Sequence, residues 1–207
     1  MHYLFDFDGV LANSMPVWAN MFVNLLKEFD LPVPEDFVKT ITPLGNRGAI
    51  RYSISLGVPL DEETCYQKSF ATLMDAYSNK IPLKTHVAET LRRLKNEGHT
   101  LHVLTASPHV FIDPCLRRCG IYDLFDTVWS IDDFSYSKAQ VEIYDEVVAR
   151  LQTTREECIF LDDNLVCLTT ARRAGIPSIG VFDETSREVA EDIKRVADRY
   201  IMDFSEL

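Results

Sequence analysis

The 207-residue chain has no run of about 18 uninterrupted apolar residues, the length that a helical membrane span requires. Hydrophobic residues are nevertheless 46% of the total, enough for a well-buried core, so an ordinary globular protein that does not cross a bilayer is expected. The start, HYLFDFDG after Met1, lacks the basic segment, apolar stretch and small-residue cleavage site of a secretory signal. A cytoplasmic location is expected. Basic clusters are missing too. The formal net charge is −11 with no long Lys/Arg tract to offset it, which disfavours nucleic acid and anionic membrane surfaces as partners. An acidic protein that handles small phosphates must neutralise them locally, with a metal or a few placed cations.

No CxxC pair or nearby Cys/His set completes a zinc site, and five cysteines, an odd number, suggest thiols and not a disulfide framework. Cys115 and Cys119 lie one helical turn apart, Cys158 opens an apolar stretch and Cys167 follows two carboxylates; packing is the role expected of them. Internal repeats, low-complexity tracts and linkers are also absent.

Short apolar runs rich in aromatic and β-branched residues occur at 3–7, 100–105, 127–131, 158–161 and 177–181, and are expected as buried strands. Helical spacing separates them: Val87, Leu91 and Leu94 before a stop at Gly98, then Val141, Tyr144, Val148 and Leu151 after Lys138. The alternation predicts an α/β fold with a parallel sheet covered on both faces. Residues 14–82 break the rhythm with helical spacing alone. A helix starts near Ser14 with Pro16 in its first turn and a face of Trp18, Phe22, Leu25 and Phe29, and further helices are expected at 34–40, 46–56 and 62–78. The domain expectation is thus a core of 1–13 with 83–207 and an inserted helical segment, 14–82.

Three of the apolar runs end in polar clusters: Asp6-Phe7-Asp8-Gly9, Thr105-Ala106-Ser107 and Asp162-Asp163-Asn164. In a parallel sheet those ends lie together, where ligands of open α/β sheets bind. Asp6 and Asp8, two residues apart in an extended segment, would point the same way and repel unless a cation lay between them. With Asp162 and Asp163 they form a hard, all-oxygen set that suits Mg²⁺. Gly9 lets a phosphate approach main-chain N–H groups, or simply forms a turn. Thr105 and Ser107 offer hydroxyl donors, although Ser107 could equally cap the next helix. Lys138 is the only lysine between Lys95 and Lys194; at the start of a helix it is poorly placed for the dipole and suits an anionic partner better, a solvated surface lysine being the alternative.

With DFDGVLANS, LTAS, Lys138 and FLDDN in this order, the chain resembles the haloacid-dehalogenase-like (HAD-like) superfamily over nearly its full length, in the branch of phosphoglycolate phosphatase and β-phosphoglucomutase. The resemblance implies a Rossmann-like core with an inserted α-helical cap, and a Mg²⁺-dependent phosphomonoester hydrolase acting on a small phosphorylated metabolite through an aspartyl-phosphate. It makes Asp6 the nucleophile and Asp8 the acid/base. Thr105 and Lys138 become phosphoryl-holding groups. Asp6, the main-chain carbonyl of Asp8, and Asp163 become metal ligands, with Asp162 binding directly or through water. The dehalogenase branch lacks the second aspartate, so dehalogenation is disfavoured. Many relatives have Lys-Pro where this chain has Lys138-Ala139, and GDSxxD where it has DDNLVC, so that Cys167 stands in place of an acid. The loop Pro43-Leu44-Gly45-Asn46-Arg47-Gly48 lies where such caps read the substrate; Arg47 could grip an anionic group and Asn46 a hydroxyl, or Arg47 could merely be exposed at a helix start. The alternatives are a phosphosugar mutase of the same fold and a non-catalytic phosphate-binding or regulatory module. Substrate identity and oligomeric state are not encoded in any motif.

Overall fold

A computed structural model describes residues 1–41 and 44–207. The chain divides into two compact units, Met1–Asn13 with Pro82–Leu207, and Ser14–Ile81.

The first unit is a six-stranded, wholly parallel sheet built from β1 (His2–Phe5), β2 (Thr100–Leu104), β3 (Thr127–Trp129), β4 (Cys158–Asp162), β5 (Ser178–Val181) and β6 (Arg199–Ile201). Their order in the sheet is β3-β2-β1-β4-β5-β6, so the first strand lies in the middle, with Phe5 in register with Val103 on one side and Leu161 on the other. Parallel strands buried on both faces need apolar residues at every position, which is why YLF, LHVL and IFL carry almost no alternation. Leu4, Phe5, Leu101, Leu104, Phe160 and Leu161 are fully buried.

The helices of this unit are α5 (Val87–Asn96), α6 (His109–Arg118), α7 (Val141–Leu151), α8 (Leu165–Arg173) and α9 (Ala190–Val196). On α5 the buried residues Val87, Thr90, Leu91 and Leu94 follow helical spacing, and Gly98 at φ +84° turns the chain towards β2. Ile143, Tyr144 and Val147 of α7 and Leu168 and Ala171 of α8 join Leu4, Leu104 and Phe160 in one apolar cluster. The expected α/β fold with a Rossmann-like parallel sheet is therefore present, with two adjustments. The sequence pattern missed β6, whose three residues bury only Ile201. Lys138 does not begin a helix: α7 starts at Val141 with Gln140 as its cap residue, and Lys138 sits in the turn before it.

Among the described residues of the second unit the regular elements are helices: α1 (Met15–Glu28), α2 (Phe37–Ile41), α3 (Gly45–Ser55) and α4 (Glu62–Asn79). Pro16 occupies the first turn of α1, where its missing N–H costs nothing. The buried stripe of α1 is Met21, Phe22, Leu25 and Leu26, rotated from the expected face because Trp18 is only partly buried and donates its indole N–H to the Tyr77 hydroxyl at 2.9 Å. Asp61 caps α4 by accepting the Thr64 N–H at 2.8 Å. Among the described residues no helix is long and apolar enough to cross a membrane.

Candidate active site

The register of the sheet brings the polar strand ends together. Asp6 directly follows β1 and donates its backbone N–H to the Leu161 carbonyl at 2.9 Å, which seats it beside Asp162 at the end of β4. Asp6, Asp162 and Asp163 are all buried, and each offers a carboxylate oxygen within 4.8 Å of the others'. Three carboxylates this close and this dry demand a cation.

One is supplied by the chain. The Lys138 ammonium, itself only 6% exposed, lies 2.7 Å from Asp162 Oδ2 and 2.8 Å from Asp6 Oδ1. The Asp162 contact is a hydrogen bond; the Asp6 contact is ionic without hydrogen-bond alignment, and leaves Asp6 Oδ1 with no hydrogen-bond donor. Burial opposes the charge on Lys138, but the carboxylates of Asp162 and Asp6 outweigh it and hold the ammonium protonated far above the ordinary lysine range. One ammonium does not balance three acids. Burial pushes the Asp163 carboxyl well up, and the charges of Asp162, Asp6 and Asp183 push it further. Burial likewise raises Asp162, with Lys138 pulling against it.

This surplus of buried negative charge, all of it on hard oxygen donors, together with the unbonded Asp6 Oδ1, fits a divalent ion such as Mg²⁺. A Cβ built on Gly9 would fall 2.7 Å from Asp163 Oδ2, so the carboxylate occupies space that only a glycine leaves open. Gly9 also has φ +73°, a conformation that other residues adopt with strain.

Asp8 follows Asp6 by two residues. β1 ends at Phe5, and the N–H groups of Leu11 and Ala12 both donate to the Phe7 carbonyl at 3.0 and 2.9 Å, closing a turn. On that turn the Asp8 carboxylate accepts, through Oδ2, a hydrogen bond from the Ser107 hydroxyl. The Ser107 N–H in turn donates to Thr105 Oγ1 at 3.2 Å. Thr105, at the end of β2, is 3% exposed, and its hydroxyl donates to no other described residue. Ser107 does not cap the next helix: α6 begins at His109 with Pro108 before it and no side-chain cap.

Two supporting residues went unread in the sequence. The fully buried Tyr144 places its hydroxyl 3.0 Å from the carbonyls of Lys138 and of Cys167, pinning the Lys138 turn to α8. Lys84 donates to the Gly9 and Phe182 carbonyls and pairs with Asp183 at 3.1 Å, tying the Asp8–Gly9 turn to the segment after β5. Helical spacing marked Tyr144 as apolar packing, and nothing in the sequence around Lys84 signals its partners. Asn164 caps α8 by accepting from Val166 and Cys167. All five cysteines are free, three of them buried.

Asn46 and Arg47 belong to the helical unit. Asn46 Nδ2 reaches Ser69 Oγ at 3.5 Å while its Oδ1 is buried without a partner. Arg47 is exposed, stacks 4.5 Å over the Tyr66 ring and shares Glu62 with Arg51, each at 3.3 Å. Pro43, named with them in the expected substrate loop, lies outside the described residues.

The family model for haloacid dehalogenase-like hydrolases matches residues 3–181. The chain belongs to the haloacid dehalogenase-like hydrolases. Its sequence is 29% identical over 201 residues to a phosphoglycolate phosphatase of Salmonella paratyphi A, covering 86% of this chain and 79% of that one. Its fold matches CbbY of Rhodobacter sphaeroides, solved as a mutant with xylulose-(1,5)bisphosphate, with a TM-score of 0.81 at 21% identity, over 100% of this chain and 95% of the other. It also matches the Bacillus subtilis HAD-hydrolase YfnB, solved with magnesium, with a TM-score of 0.78 at 16% identity, over 99% and 95% of the two chains. At such identities these two likenesses concern the fold. The expected enzyme class, a phosphoester hydrolase of the haloacid dehalogenase-like kind, stands.

Proposed function

We propose that this haloacid dehalogenase-like enzyme is a Mg²⁺-dependent phosphomonoesterase for a small phosphorylated metabolite, with Asp6 as nucleophile and Asp8 as acid/base. The observation that supports the reading is the buried cluster of acids that includes Asp6 and surrounds Lys138, with Asp8 two residues further on accepting a hydrogen bond from the Ser107 hydroxyl.

In the first step a carboxylate oxygen of Asp6 bonds to phosphorus as the ester P–O bond breaks, and the departing alcohol oxygen takes a proton from Asp8. In the second, water attacks the phosphorus of the aspartyl-phosphate, its proton passes to Asp8, and Asp6 and inorganic phosphate are released. Splitting the displacement in this way lowers each barrier, and a placed acid/base adds about 10²–10⁴-fold. Lys138 and the Thr105 hydroxyl hold the phosphoryl oxygens as charge redistributes on them. Mg²⁺ would be held by Asp6, Asp163 and the main-chain carbonyl of Asp8, and supplies charge neutralisation to the phosphoryl group. Asp162 accepts from Lys138 on one oxygen and from the Asn164 N–H at 2.8 Å on the other, which favours its acting through water.

The named activity of the Salmonella relative puts phosphoglycolate first in a panel of candidate substrates. Arg47 and Asn46 are proposed to read the part of the substrate beyond the phosphate. Purified protein with millimolar Mg²⁺ should release phosphate from p-nitrophenyl phosphate and from one or more phosphorylated metabolites, chelator should abolish the release, and Asp6→Asn should be inactive. Undiminished turnover by Asp6→Asn would sink the mechanism.

A further inference from the structure

The hydrogen bond between Ser107 and Asp8 joins residues 99 positions apart in the chain and is made by neither a helix cap nor a surface pair. Ser107 is 7% exposed. Its backbone N–H donates to Thr105 Oγ1, which anchors to the end of β2 the main chain from which the hydroxyl projects. Asp8, by contrast, is half-buried and stands on a turn whose next residue, Gly9, has a left-handed backbone. A carboxyl on such a turn rotates about two side-chain bonds, and a proton donor has to meet the leaving oxygen within about 2.6–3.2 Å to be effective. A buried hydroxyl that grips one carboxyl oxygen narrows that rotation before the substrate arrives, alongside whatever else touches the carboxyl.

We infer that Ser107 is a positioning residue for Asp8: its hydroxyl sets the carboxyl plane so that Asp8 meets the ester oxygen of the leaving group. This assigns Ser107 to proton transfer and not to gripping the phosphate, and it rests on the acid/base role proposed for Asp8.

The two roles differ in what they make of the leaving group. An alkyl phosphate departs as a strongly basic alkoxide and needs the proton; p-nitrophenolate departs without one. Loss of a phosphate grip would slow both substrates alike and weaken inorganic phosphate as an inhibitor. Loss of acid positioning slows the alkyl ester selectively.

The experiment compares kcat/KM, which reports the first irreversible step, for an alkyl phosphate and for p-nitrophenyl phosphate in wild type, Ser107→Ala, Ser107→Cys and Asp8→Asn. For Ser107→Ala the alkyl value should fall about 10–100-fold further than the aryl value, given that small misplacements of catalytic groups cost up to about 10²-fold. Phosphate inhibition should stay within about twofold, since phosphate takes no leaving-group proton. Ser107→Cys keeps the shape with a weaker donor; it covers the case in which the alanine variant folds poorly, and it should show the same ordering with a smaller gap. Equal losses on both esters, or a marked weakening of phosphate inhibition, overturn the inference while leaving the hydrolase reading intact. Full alkyl phosphate turnover by Asp8→Asn would instead remove the acid/base role on which the inference stands.

Discussion

Gly9 and Asp163 occupy adjoining space, with the position a Cβ would take on Gly9 lying 2.7 Å from Asp163 Oδ2 and 2.9 Å from its carboxyl carbon. The glycine is also at φ +73°, so Gly9→Ala meets two obstacles. The left-handed backbone alone costs about 1–2 kcal/mol, and the displaced carboxylate belongs to the buried acid cluster. Urea unfolding of Gly9→Ala should show at least that loss, and Mg²⁺ should protect the variant less than the wild type.

Metal addition gives a second expectation. Mg²⁺ at about 100 times its dissociation constant should raise the unfolding free energy by about 2.7 kcal/mol. Asp163→Asn should lose most of that gain. Burial and the neighbouring acids disfavour the charged form of Asp163, so without metal the asparagine variant should be the more stable protein. Urea midpoints with Mg²⁺ and with chelator test both statements; equal protection of the two proteins would exclude Asp163 from the ligands.

Tyr144→Phe removes the hydroxyl that lies 3.0 Å from the carbonyls of Lys138 and Cys167. The expected destabilisation is about 1–1.5 kcal/mol, the net worth of one hydrogen bond, because a single hydroxyl proton serves one carbonyl at a time. Because the freed turn carries Lys138, kcat should fall along with the urea midpoint. An unchanged kcat would mean that the acids alone hold the ammonium in place.

Acid sensitivity should arise at the other end of the strands. His102 is buried on β2, with Nδ1 2.6 Å from Thr127 Oγ1 and Nε2 3.3 Å from His2 Nδ1. Burial, assisted by the charge of His2, lowers its pKa from 6.5 to about 4. Above pH 6.5 the imidazole is neutral in both states. As the pH falls from 6.5 towards 4 the unfolded chain takes up a proton that the folded chain refuses, so stability declines by something on the order of 3 kcal/mol and levels off below that window. Urea midpoints across this range should slope less for His102→Gln than for the wild type.

The sequence exposed those parts of the site that follow from local pattern. Strands that end in Asp6, Thr105 and Asp162 could be read because a parallel sheet forces their ends to one side, and the lone lysine in a long stretch pointed to an anionic partner. What could not be read depends on distant partners. Asp8 accepts a hydrogen bond from Ser107, 99 residues away, and no local pattern announces that partner. Tyr144 sits at helical spacing among apolar residues, and only its packing against β4 and α8 shows that its hydroxyl is used. Lys138 lies ahead of α7 because its ammonium is drawn to Asp6 and Asp162, a demand set by the fold and not by helix propensity. β6 escaped notice since a three-residue edge strand with one buried side chain carries almost no periodic signal.

The middle place of β1 also governs when the enzyme can come into being on the ribosome. β1 is made before the strands it pairs with, which begin at Thr100 and Cys158, so neither neighbour exists until much of the intervening chain has been made. Pairings this remote close slowly, and until they do the apolar face of YLF has nothing of its own sheet to cover it. A nascent chain interrupted before Asp162 and Asp163 emerge carries Asp6 without the two acids that complete its cluster. Completion of the buried acid cluster is therefore a late event in the making of the chain, because Asp162 and Asp163 follow Asp6 by more than 150 residues.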